Sequence, residues 1–85
     1  MKHAGPSALD ALEPLLRRLR GISQIREKTR GVFYLKSRAF LHFHEDPTGL
    51  YADIRPAGAN DFVRLKVDAD EDRDELVARV LDSLR

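Results

Sequence analysis

Two histidines one residue apart, His42-Phe43-His44, are the sharpest chemical signal in the chain. On a β-strand alternate side chains share a face, so both imidazoles project the same way and lie close enough to ligate one metal ion. No cysteine occurs in the 85 residues, which removes thiolate metal sites, disulfides and cysteine nucleophiles together. Further ligands would therefore be oxygens, and Glu45, Asp46 and Asp53 are the carboxylates that could supply them for zinc, iron or manganese. The competing reading is two ordinary imidazoles that pair with Asp53 or Glu45.

Catalytic constellations are otherwise missing from the sequence. No serine stands in a nucleophile-elbow context, and there is no phosphate loop or dinucleotide fingerprint. His42 or His44 with Asp53 could do acid–base chemistry, but nothing else in the chain supports it. The chain reads as a binding module rather than an enzyme, with no cofactor, or alternatively with a divalent metal held by His42 and His44.

The elements that must carry these residues follow from periodicity. Ser7 is a candidate N-cap for a helix whose stripe is Leu9, Leu12, Leu16 and Leu19. Pro14 either kinks that helix or opens its regular part, and Gly21 ends it as a C′ residue. Ile22 to Lys28 is ambiguous, and Gln24–Lys28 is open to an edge-strand reading. From Gly31 the period becomes two, predicting strands over Val32–Lys36, Ala39–His44, Leu50–Arg55 and Asp61–Val67. The turn Glu45-Asp46-Pro47-Thr48-Gly49 and the breaker Pro56-Ala57-Gly58-Ala59-Asn60 separate the later ones. Leu76, Val77, Val80, Leu81 and Leu84 then form the apolar face of a C-terminal helix.

Helix, four or five strands in short connections, and helix give an α+β two-layer sandwich. Its antiparallel sheet carries the N- and C-terminal helices on one face. Residues 1–85 form a single domain, with 1–6 expected as a disordered tail. The alternation sends Phe33, Leu35, Ala39, Leu41, Phe43, Leu50, Ala52, Ile54, Val63, Leu65 and Val67 toward the helices. Tyr34, Lys36, Phe40, His42, His44, Tyr51, Asp53, Arg55, Phe62, Arg64 and Lys66 then line the open face. Four rings, two histidines and four cations against one carboxylate suit stacking on bases and holding phosphates. The same residue types also suit a homodimer interface. Cross-strand packing of the rings, or a cover formed by a loop or the N-terminal tail, would explain them without any partner.

Charge is divided along the chain. Residues 1–43 hold nine basic and three acidic side chains, a local +6, while 44–85 hold six basic and eleven acidic, a local −5. Asp68, Asp70, Glu71, Asp72, Asp74 and Glu75 crowd a helix start, where the macrodipole favours carboxylates. The net charge of +1 excludes a grossly basic nucleic-acid binder but not a locally basic face. No apolar run approaches the roughly 20 residues of a membrane span. No secretory h-region precedes Pro6, so the cytoplasm is the expected compartment.

The runs Gly31-Val32-Phe33-Tyr34, His42-Phe43-His44-Glu45-Asp46 and Leu50-Tyr51-Ala52-Asp53-Ile54 resemble the small bacterial and fungal domain called luciferase family protein. Its members show a G-x-E-F-like strand, an H-x-H-x-D-like strand and a following strand with an Asp. The resemblance covers about residues 9–84 and implies site roles for His42, His44 and Asp53, with no mechanism attached. This chain departs from it in lacking Glu at position 32 or 33 and in its short Pro56–Asn60 segment. The element order is also similar to MmcQ/YjbR-like domains, which implies a frataxin-like fold and a DNA-binding role.

Overall fold

Strands of period two need an apolar cover, and the two amphipathic helices supply it on one side only. The computed structural model describes residues 1–56 and 58–85. In chain order it holds β1 (Lys2–His3), α1 (Pro6–Arg20), β2 (Ile25–Thr29), β3 (Val32–Leu35), β4 (Arg38–Asp46), β5 (Gly49–Ile54), β6 (Val63–Lys66) and α2 (Asp70–Ser83). The sheet runs β2-β3-β4-β5-β6, antiparallel throughout. β1 pairs with β4 beyond the end of β3, with His3 opposite His44. The expected α+β two-layer sandwich is thus present, with six strands rather than four or five.

The two additional strands have different origins. Ile25–Thr29 resolves the ambiguous segment as an edge strand, held by pairing with β3. β1 replaces the frayed end expected for residues 1–6. The residue before a proline avoids helical backbone, and Gly5 before Pro6 is extended, with ψ −175°. The Gly5 N–H donates to the Glu45 carboxylate at 2.6 Å, and the Ala4 N–H to the Phe43 carbonyl at 3.1 Å. These two bonds fasten the segment along β4.

Helix α1 accordingly starts at Pro6, not after Ser7. Gly5 is its N-cap, and proline suits a first turn whose N–H groups lack intrahelical partners. The helix continues through Pro14, which lies on its exposed side. It ends at Gly21 in right-handed backbone, φ −75°, rather than in the left-handed C′ conformation. Leu12, Leu15, Leu16 and Leu19 are buried against Phe33, Leu41, Phe43, Ala52 and Ile54 of the sheet and Leu76 and Val80 of α2. Each such large side chain contributes ~1.5–3 kcal/mol on burial. The α2 stripe is narrower than the five residues expected, because Leu81 is half exposed.

Both sheet edges are short and charged, with Arg26 and Lys28 on β2 and Arg64 and Lys66 on β6, which discourages addition of further strands. Among the described residues no helix is long and apolar enough to cross a membrane.

Candidate metal centre on the open sheet face

Register converts the uncovered face into three rows of side chains. The first holds Arg26, Tyr34 and Ala39, and Arg55 adjoins it because its N–H donates to the Phe40 carbonyl at 2.8 Å. The second holds Val32, His42, Asp53 and Arg64. The third holds His3, His44, Tyr51 and Lys66.

Phe40 does not belong to this face. Phe33 pairs with Leu41 and Tyr34 with Ala39, so β4 carries one extra residue, Phe40, as a β-bulge. The bulge breaks the alternation: Phe40 is 2% exposed within the core, and Ala39 takes the open-face place opposite Tyr34. Tyr34, Tyr51, Asp53, Arg64 and Lys66 lie on this face by register, but several of them are engaged by neighbours. Lys36 lies in the β3–β4 turn, Tyr34 lies under Lys28 with Nζ 4.6 Å from the ring, and the Tyr51 hydroxyl bonds Thr48 Oγ1 at 2.7 Å. Phe62 lies 4.7 Å from the His42 ring and 4.9 Å from the Arg55 guanidinium.

What the face does gather is histidine. Ligand nitrogens of His3, His42 and His44 all lie within 4.8 Å of one another. His3 stacks on His44 at 4.6 Å between ring centroids, and His42 meets His44 edge-on at 4.9 Å. His42 Nδ1 and His44 Nδ1 are buried and have no hydrogen-bond partner among the described residues. Leaving a buried imidazole nitrogen unpaired costs ~1–3 kcal/mol, so two on adjacent rings of one strand require a reason.

Asp53 sits beneath the cluster, 7% exposed. Arg64 grips it through two hydrogen bonds of 2.8 Å each, which hold its carboxyl below the usual carboxylate range and raise Arg64 in turn. Its Oδ2 lies 3.4 Å from His44 Nδ1 without hydrogen-bond geometry. Burial pushes both His42 and His44 down from the ordinary histidine value; His44 lowers His42 further, and Asp53 opposes both shifts. Both shifts favour the neutral imidazole, the form that ligates metal.

Two carboxylates expected as ligands are engaged elsewhere. Glu45 holds Gly5, and Asp46 accepts from the Thr48 N–H and hydroxyl in the β4–β5 turn. The third ligand candidate is His3, which periodicity could not reveal on a two-residue strand. The available signal was Gly5-Pro6, which biases Gly5 toward extended backbone just after His3. Compared with known proteins, the chain matches no family model, no curated protein and no solved structure.

Proposed function

We propose that the protein binds one divalent transition-metal ion, of which zinc is the type, through His3, His42 and His44. The convergence of three imidazoles within 4.8 Å carries this reading, and the buried His42 Nδ1, without a hydrogen-bond partner among the described residues, supports it. Ligands of a tetrahedral ion at ~2.0–2.1 Å stand about 3.3 Å apart, so closure on the ion draws the rings together by modest side-chain rotation. Three neutral ligands leave the ion's positive charge intact and a fourth position open to water or a small ligand. Asp53, fixed by Arg64, faces His44 Nδ1 at 3.4 Å, so His44 would hold the ion through Nε2 and turn Nδ1 to this carboxylate as the rings close, the arrangement outer carboxylates impose on metal-bound histidines.

Cobalt(II) titration of the untagged protein tests the proposal. One equivalent should develop the visible absorption of a tetrahedral nitrogen-rich site, and zinc should abolish it stoichiometrically. Absorption that survives His42→Ala, or no absorption at all, would overturn it.

A second reading gives the same face to a partner, either another copy of the chain or a nucleic-acid strand. Tyr34 and Phe62, each partly exposed beneath a cation, favour it. A strictly monomeric elution that random single-stranded oligonucleotides do not shift would reject it.

A further inference from the structure

At the end of the sheet that carries the β3–β4 turn, Lys36, Ser37, Arg38 and Arg55 line an open cleft of about 320 Å³. We infer that this cleft is a binding site for a phosphate-bearing ligand. Among the described residues no carboxylate lines it, and none lies within 4.0 Å of Lys36, Arg38 or Arg55. The arginines of α1 behave differently: Arg17 and Arg20 meet Glu13, and Arg18 meets Asp74. Cations gathered around one hollow without counter-charges repel one another and raise the local concentration of anions.

Two features show that the cleft is built for this charge. Lys36 occupies left-handed backbone at φ +59°, a conformation in which glycine would be at ease and a lysine is strained. The turn therefore presents a charge at a conformational cost. Arg55 is held in place from two sides: its guanidinium donates to the Ala39 carbonyl and lies 4.9 Å over the Phe62 ring. A guanidinium immobilised in this way presents its remaining N–H groups as a preformed fork, which suits phosphate better than a flexible ammonium does. The Ser37 hydroxyl adds a neutral donor. The volume lies at the small end of ligand pockets, enough for the phosphate and part of the group it esterifies.

None of the histidines lines this cleft, although Phe62 touches both His42 and Arg55, so binding is measured with EDTA present. The probes are thymidine monophosphate, thymidine, inorganic phosphate and a fluorescein-labelled oligothymidylate. The monophosphate should bind and thymidine should not. Lys36→Gly and Arg55→Gln should each weaken binding about tenfold or more. Lys36→Gly should raise Tm at the same time, because glycine relieves the turn. An oligothymidylate that binds more tightly than the monophosphate, and less so as salt rises, identifies a nucleic-acid strand as the source of the phosphate. Equal affinity for the monophosphate and the strand identifies a small ester. Binding of inorganic phosphate alone identifies the free anion as the ligand. No binding by any phosphate probe, equal binding of thymidine and its monophosphate, or wild-type affinity in both variants overturns the proposal.

Discussion

Two polar clusters lie on opposite sides of the molecule and are built on opposite principles. Between α1 and β2, Arg20 donates to Glu27 and Glu13, Arg30 donates to Asp10 and Glu13, and Glu27 also accepts the Gly31 N–H. Every charge there has an opposite partner. On the open face His3, His42 and His44 converge, yet among the described residues two of their nitrogens are buried without a hydrogen bond. Satisfied networks join elements and fix a fold, whereas unsatisfied polar groups in a folded interior mark a place kept for something else. The first cluster ties a helix to a strand; the second has the composition and spacing of a ligand set.

Replacing His42 should separate the two most sharply. His42→Val suits the strand and removes a buried nitrogen that has no partner, so the Tm of the metal-free protein should hold or rise. The same change should weaken zinc binding by at least about 100-fold, since loss of a direct ligand exceeds the loss of an outer partner. Thermal melting with and without zinc checks both halves. At a zinc concentration a hundredfold above Kd, binding adds about 2.7 kcal/mol to the wild type, which raises the Tm of a domain of this size by roughly 10–20 °C. A histidine with a purely structural role would instead lower the metal-free Tm and leave the zinc increment unchanged.

Asp53→Asn should have an intermediate effect. It keeps the size of the side chain but removes the charge that Arg64 grips and that faces His44. Zinc affinity should fall about 10–100-fold, the range for outer-shell carboxylates, and calorimetric titration reads it.

The smallest effect belongs to the satisfied network. Hydrogen bonds from Arg20 and Arg30 hold Glu13 down to about 2 from an ordinary 4.5. A carboxylate with a lowered pKa contributes its full stabilisation above 4.5 and loses it as the pH falls toward 2. Denaturant melts across that window should show the wild type losing stability more steeply than Glu13→Gln. The difference should be small for a solvent-screened surface network, and zinc binding at neutral pH should be unaffected.

Much of this organisation was legible in the residues, and the remainder was hidden for physical reasons. Strand alternation from Val32 onward, and leucines at helical spacing around Leu12 and Leu16, placed the sheet and its cover correctly. Both are local periodicities that burial enforces. His42, His44 and Asp53 were legible because the two histidines share one parity on a strand and Asp53 falls opposite His42 on the next. Phe40 was misplaced because a bulge is a property of two paired strands and leaves no period in either one alone. His3 was missed because β1 spans two residues, too few for any pattern, and is held by Glu45 and Phe43 some forty positions away. The partners of Tyr34, Tyr51 and Phe62 were equally hidden, since each comes from another element or a turn.

Isothermal titration of zinc into the untagged, metal-free protein decides between a ligand set and a chance meeting of three imidazoles. One ion per chain in the wild type, with binding lost in both His3→Ala and His42→Ala, is the expected result. Absence of stoichiometric binding in the wild type, or unchanged binding in both variants, would contradict a metal centre at these histidines.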